Sequence, residues 1–73
     1  MKTISYNKLW KLLIDKDLKK TDLKELAGVS TNIIAKLGKN EVVSMDTLLK
    51  ICTALDCDIS NIVETVSEVG HDG

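Results

Sequence analysis

Five serine or threonine residues stand directly before segments in which apolar side chains recur every three or four positions. A hydroxyl at such a place accepts a hydrogen bond from a free amide of the first helical turn, so the pattern marks the start of an α-helix. The five residues are Ser5, Thr21, Ser30, Ser44 and Ser60. They predict five helices, at residues 6–16, 22–28, 31–38, 45–56 and 61–66.

The composition agrees with an all-α fold. The chain has 73 residues, which is enough for one domain, and it contains no proline and only one Trp and one Tyr. Its core must therefore be built from Leu, Ile and Val, and a Leu-rich chain without proline favours helices. We predict a compact five-helix domain over residues 1–66, followed by a polar, frayed tail at residues 67–73.

The apolar spacing also predicts which side of each helix is buried. In the first helix, Leu9, Leu13 and Trp10 are expected to point inward. In the fourth helix the expected buried stripe consists of Met45, Leu48, Leu49, Cys52 and Leu55.

Charge is unevenly distributed along the chain. Residues 1–40 hold nine lysines and four acids, a net charge of +5, whereas residues 41–73 hold one lysine and seven acids, a net charge of −6. Such asymmetry indicates one surface for a polyanion and another that stays away from it. Chance segregation of charge in a small domain is the alternative explanation.

The stretch from Thr21 to Leu37, T-D-L-K-E-L-A-G-V-S-T-N-I-I-A-K-L, predicts two short helices joined by a tight turn. Gly28 can adopt the positive φ that ends the first of them, and Ser30 caps the second. Apolar residues on the two helices face each other, namely Leu23, Ala27, Ile34 and Leu37. The outward face of the second helix then carries Thr31, Asn32, Ala35 and Lys36, as in a helix that enters the major groove of DNA.

A second pattern follows at a fixed distance, S-M-D-T-L-L-K-I-C-T-A-L-D-C-D-I-S-N-I, from Ser44 to Ile62. Together the two patterns make residues 4–66 resemble the small, single-domain branch of the Cro/repressor-type helix-turn-helix regulators, the xenobiotic-response-element family of bacteria and phages. The resemblance implies a lambda-repressor-like DNA-binding domain. It also implies a sequence-specific transcriptional regulator whose third helix reads the major groove of double-stranded DNA.

Individual residues can be matched to roles in DNA binding. Asn32 can read adenine through its paired donor and acceptor, and Lys36 can reach guanine or a phosphate. Ser30 and Thr31 lie at a helix N-terminus and suit phosphate or sugar contacts, and Ile33 is expected to touch a thymine methyl group. The flanking residues expected to contact phosphates are Lys19, Lys20, Lys39 and Asn40. For each of these residues, an ordinary solvated side chain is the alternative.

A single recognition helix binds DNA weakly, so a homodimer on two half-sites is expected. The predicted fifth helix offers the surface for it, through Ile59, Ile62, Val63, Val66 and Val69. Alternatively, this segment closes the domain of a single chain.

The main alternative function is a protein-interaction or antitoxin-like accessory module that retains the fold without binding DNA. The net charge of −1, the absence of arginine and the presence of Asp22 at the start of the second helix support it. An aspartate cannot donate a hydrogen bond to a phosphate.

Catalysis and cofactor binding are not expected. Cys52 and Cys57 lack the second ligand pair of a zinc site and are expected to be small buried apolar residues, and His71 stands in the predicted tail. The chain has no glycine-rich phosphate loop, and none of its apolar runs approaches the roughly 18–20 residues that span a bilayer. We expect a cytoplasmic protein without a membrane partner, metal, cofactor or small-molecule ligand.

Overall fold

A computed structural model describes residues 1–67, which form four α-helices and a small sheet. Strand β1 spans Lys2–Ser5, and the helices are α1 (Asn7–Asp15), α2 (Lys20–Ala27), α3 (Thr31–Gly38) and α4 (Met45–Leu55). A 3-10 turn at Ile59–Asn61 leads into strand β2 (Glu64–Ser67). The four helices predicted first are confirmed within two residues at each end. Val69 and His71 lie outside the described residues.

The expectation of a fifth helix at residues 61–66, and with it the all-α class, is wrong. Most of β2 lies in this segment, and the strand pairs with β1 in antiparallel register, from Lys2 opposite Ser67 to Ser5 opposite Glu64. The residues of β2 include β-branched side chains, which fit a strand better than a helix. Their pairing partner lies about 60 residues away in sequence, so local spacing could not reveal it. The strand includes the first residue of the predicted tail, and residues 68–73 lie outside the described part.

Two of the five predicted N-caps are confirmed. The Ser30 hydroxyl accepts a hydrogen bond from the Ile33 amide at 3.3 Å, and the Ser44 hydroxyl accepts one from the Thr47 amide at 3.1 Å. Ser60 lies within the 3-10 turn and does not precede a helix.

The other two predicted caps are displaced. Ser5 ends β1, and Tyr6 precedes α1. Helix α2 begins at Lys20, one residue before Thr21, and the Asp22 carboxylate accepts a hydrogen bond from the Lys19 amide at 2.8 Å. A carboxylate in the first turn satisfies a free donor and favours the helix dipole. The residue that raised doubt about DNA binding therefore has a structural role.

The core is formed by side chains from all four α-helices, the segments beside them and the 3-10 turn. Its fully buried members are Tyr6, Leu9, Leu23, Leu37, Ile51 and Ile62. The predictions for Leu9 and Leu13 are confirmed, and Trp10 is half-buried against the core.

The buried stripe predicted for α4 is partly wrong. Met45 and Leu49 are 59% and 52% exposed, whereas Ile51 is fully buried. The buried positions are Leu48, Ile51, Cys52 and Leu55. They have helical spacing as the predicted set does, but the buried face includes Ile51 and excludes Met45 and Leu49. The helix packs most extensively against α2.

Most residues predicted to form a dimer surface belong to the core of the single chain. Ile62 is fully buried, and Ile59 and Val63 are half-buried against the core. Only Val66, 37% exposed in β2, is open to a large extent. This segment therefore closes the domain, and Ile62 cannot contact a partner in this conformation.

Tyr6 connects the beginning of α1 to the loop that follows α3. Its backbone amide donates to the Asn40 side-chain oxygen at 3.1 Å, and its hydroxyl donates to the Glu41 carbonyl at 2.7 Å. Burial raises the pKa of Tyr6 and outweighs an opposing backbone contact at Val43. The hydroxyl therefore remains protonated and serves as a donor.

We expect Tyr6→Phe to lower the free energy of unfolding by about 1–2 kcal/mol, because it removes the hydroxyl donor and preserves the buried ring. Thr53→Val is the matched control, since it also removes a hydroxyl that donates to a backbone carbonyl, that of Leu49 at 2.9 Å, but at an exposed site. The control should change stability by less than about 0.5 kcal/mol. Equal effects of the two substitutions in urea unfolding would contradict the structural role of the Tyr6 hydroxyl.

Gly28 ends α2 in the left-handed conformation, at φ 68° and ψ 35°, which confirms the prediction of a positive φ. Its amide donates to the Lys24 carbonyl at 3.0 Å. A Cβ atom built at this position would meet nothing within 4 Å. The requirement for glycine therefore comes from the backbone conformation and not from lack of space.

We expect Gly28→Ala to destabilise the domain by about 1–2 kcal/mol, the cost of a left-handed residue with a Cβ atom. Gly38→Ala is the matched control, because this glycine is in α3 and its Cβ would also meet nothing within 4 Å. The control should be neutral or stabilising by up to about 1 kcal/mol. Thermal melts in which Gly28→Ala is as stable as the control would contradict this account of the turn.

Candidate nucleic-acid interface

The turn at Gly28 fixes the angle between α2 and α3. Leu23 of α2 and Leu37 of α3 are fully buried, and Ile34 packs against the same core. Val29, between the helices, is also buried. Because these apolar residues hold one side of α3 against the domain, the other side of the helix must face solvent.

The outward side of α3 carries the residues that the sequence placed there. Thr31, Asn32, Ala35 and Lys36 are all exposed. Asn32 and Lys36 are four residues apart and therefore project from the same side of the helix. Within residues 1–67, the structure shows no hydrogen bond or ion pair that engages either of these two side chains. Their donors and acceptors are thus available to a ligand.

The first turn of α3 combines exposed residues with one anchored residue. Ser30 is exposed, and its hydroxyl oxygen accepts the Ile33 amide, which leaves its proton free to donate. Ile33 itself is half-buried against the core. It offers less surface for a thymine methyl group than an exposed isoleucine would. Thr31 stands beside the open helix N-terminus, where anions are favoured.

The four residues that flank the helix-turn-helix, namely Lys19, Lys20, Lys39 and Asn40, are all exposed. Their side chains differ in the contacts that they make within the domain. The Lys20 ammonium lies 4.6 Å from the centre of the Trp10 ring, a cation–π contact. Asn40 has a positive φ of 57°, and its side-chain oxygen is engaged by the Tyr6 amide. The side chain of Lys39, directly after α3, has no such contact among the described residues.

Lys24 is a candidate that the sequence reading missed. It lines a shallow cleft at the junction of α2 and α3, together with Lys20, Thr21, Thr31 and Ile34. Lys24 follows Lys20 by four residues, and this i, i+4 spacing could have revealed that the two share one helix face. The cleft brings these two lysines beside Thr31, the first residue of α3.

Nothing in the described residues points to a metal or a reactive thiol. No group of three or more potential metal ligands occurs in residues 1–67. Cys52 is buried and Cys57 is half-buried, and both are free. Burial, and then the neighbouring Cys52, raise the pKa of the Cys57 thiol, which makes it a poorer nucleophile. Across the same residues, no helix combines the length and apolar character that a bilayer span needs.

Comparison with known proteins agrees with this geometry. The model of the Cro/C1-type helix-turn-helix DNA-binding domain matches residues 8–68. The chain is also similar to the crystal structure of the transcriptional regulator VanUg, with a TM-score of 0.88 and 57% identity over 92% of this chain and 89% of that one. Comparison with curated proteins gives no significant match. The match to most of the chain and the α2–turn–α3 geometry together show that this protein belongs to the Cro/C1-type helix-turn-helix family, a family of DNA-binding domains and not of enzymes.

Proposed function

We propose that this protein is a sequence-specific transcriptional regulator that inserts α3 into the major groove of double-stranded DNA. The observation that carries the proposal is the outward side of α3. Asn32 and Lys36 are exposed there, one turn apart, on a helix whose opposite side is fixed by Leu37 in the core. A side chain reads a base edge reliably only when the backbone that carries it is held in place.

The contacts divide into those that read bases and those that bind the backbone. Asn32 donates to and accepts from an adenine edge, and Lys36 donates to guanine or a phosphate. Ile33 presents its exposed part to a thymine methyl group. The phosphate ligands are the residues around these, Lys19, Lys20, Lys24, Ser30, Thr31, Lys39 and Asn40. Asn40 can use only its amide group, because its oxygen accepts the Tyr6 amide.

Regulation of transcription is supported by the similarity to VanUg, which is described as a transcriptional regulator. The domain contains no second module within residues 1–67 that could supply another activity. A DNA-binding protein acts where the DNA is, and we infer a cytoplasmic location. On a two-fold operator, two copies would each place one α3 in a half-site.

The interaction-module alternative loses part of its support in the structure. Asp22 was its most specific argument, and the carboxylate is engaged by the Lys19 amide at the start of α2. A residue used in this way does not argue against a phosphate bound by the lysines around it. The DNA titration below separates the two functions.

We expect Asn32→Ala to weaken binding to a preferred operator by about 1–3 kcal/mol and to relax the choice of one base pair. The operator would come from selection on a random duplex library, and binding would be followed by fluorescence anisotropy over a series of salt concentrations. Lys39→Ala should weaken binding to all duplexes alike and reduce the slope of log K against log salt by about one unit. Lys36→Ala should follow one pattern or the other, which assigns it to a base or a phosphate.

Lys11→Ala is the matched control for Lys39→Ala, since it removes the same charge from α1, beside the 3-10 turn. It should leave affinity and salt slope nearly unchanged. All four substitutions are at exposed positions and should leave the melting temperature close to that of the wild type. Folded variants of Asn32, Lys36 and Lys39 that bind DNA as the wild type does at every salt concentration would refute the proposal, as would a wild type without salt-dependent DNA binding.

A further inference from the structure

Trp10 is the only tryptophan of the chain, and its ring contacts the first residue of α2. It lies in α1 beside the buried Leu9, and it is itself half-buried against the core. The position of the ring is therefore set by the packing of α1. The Lys20 ammonium lies 4.6 Å from the centre of the ring. This distance is well within the roughly 6 Å over which an aromatic face attracts a cation.

Lys20 also borders the surface that the proposed function directs toward DNA. It lines the cleft between α2 and α3 together with Thr31, the first residue of α3. One lysine side chain thus joins the ring of α1 to the cleft beside α3. Because Lys20 is exposed, an anion can approach its ammonium while the ring remains in contact with it.

The ammonium of Lys20 is held by a neutral ring and not by a carboxylate. Over residues 1–67, no acidic side chain lies within ion-pair distance of it, whereas Lys50 pairs with Asp46 at 3.8 Å. A carboxylate would offset the positive charge and would compete with an incoming phosphate. An aromatic face attracts the ammonium through its quadrupole and adds no charge. The charge and the donors of Lys20 therefore stay available to an anion.

We propose that Trp10 is a positioning residue for DNA binding, whose ring holds the Lys20 ammonium in place for a phosphate of the DNA backbone. A free lysine loses rotamer freedom when it binds a phosphate. A lysine that already rests on a ring has lost part of that freedom before DNA arrives, so the cost of binding is smaller. Trp10 acts through Lys20 and does not need to touch DNA. The inference rests on the proposed function, because it concerns the same DNA surface.

The strength of such a contact sets the expected effect. Trp10→Leu removes the aromatic face and keeps an apolar side chain, and it should weaken DNA binding by about two- to fivefold. Trp10→Phe keeps a ring whose face attracts a cation less strongly than that of tryptophan, so it should lose less affinity than Trp10→Leu. Lys20→Ala removes the phosphate ligand itself and should lower the slope of log K against log salt by about one unit.

A double-mutant cycle with the full chain tests the proposal. Binding to a mixed-sequence DNA duplex would be followed by fluorescence anisotropy over a series of salt concentrations, since a phosphate contact requires no operator. Trp10→Leu should weaken binding of the wild type and should have no further effect in the Lys20→Ala background. Lys39→Ala is the matched background, because Lys39 is an exposed lysine without an aromatic contact in the described part of the chain. There Trp10→Leu should have its full effect.

All variants would be compared at a temperature at which circular dichroism shows each of them folded. A merely structural role of Trp10 would weaken binding equally in the wild type and in the two lysine backgrounds, and this result would overturn the inference. Wild-type affinity of Trp10→Leu would overturn it as well, as would a Trp10→Phe variant that binds as weakly as Trp10→Leu.

Failure of this inference can be distinguished from failure of the proposed function. A wild type without salt-dependent binding to any duplex would remove both. Salt-dependent binding with equal effects of Trp10→Leu in every background would remove only the positioning role. Coupling between Trp10 and Lys20, together with an Asn32→Ala variant that binds every duplex as the wild type does, would remove only the reading of sequence by Asn32.

Discussion

The orientation of α3 depends on the hydrogen bonds made by the buried Tyr6. Its amide and hydroxyl hold Asn40 and Glu41, so that the chain leaving α3 is tied to the chain entering α1. The other end of α3 is fixed by the left-handed turn at Gly28 and by the Ser30 cap. With both ends held and Leu37 buried between them, the helix has little freedom to rotate. Few aromatic residues are present, and the single tyrosine occupies the position where both an apolar ring and a polar donor are needed.

The polar side chains of α2, α3 and the loop after α3 fall into two groups, those that bind backbone amides within the domain and those that are available to a ligand. Asp22 and the oxygen of Asn40 are used within the domain, where they satisfy backbone amides. Asn32 and Lys36 have no such partner among residues 1–67 and face outward. An isolated sequence position cannot distinguish these two uses, because the residues of both groups are polar. Since only uncommitted donors and acceptors can be exchanged for contacts with bases without loss of stability, the structure narrows the set of reading residues.

Apolar side chains show a parallel division. Most apolar residues of the segment predicted as a fifth helix belong to the core, as the fully buried Ile62 shows, whereas Leu26 and Leu49 are exposed to solvent. A small domain has too little interior to bury every apolar residue. Which of them stay outside is decided by the packing of α4 on α2, and here it leaves them together, on a face that carries one acid and one base.

The sequence by itself determined the features that depend on neighbouring residues. Helices α1 to α4, the positive φ of Gly28, the caps at Ser30 and Ser44 and the outward side of α3 all follow from spacing within a few turns. Only the tertiary structure decided the pairing of β1 with β2, the buried side of α4 and the roles of Tyr6 and Asn40. These features join segments that are tens of residues apart. Their energy comes from contacts that exist only after the chain has folded, so no local pattern can encode them.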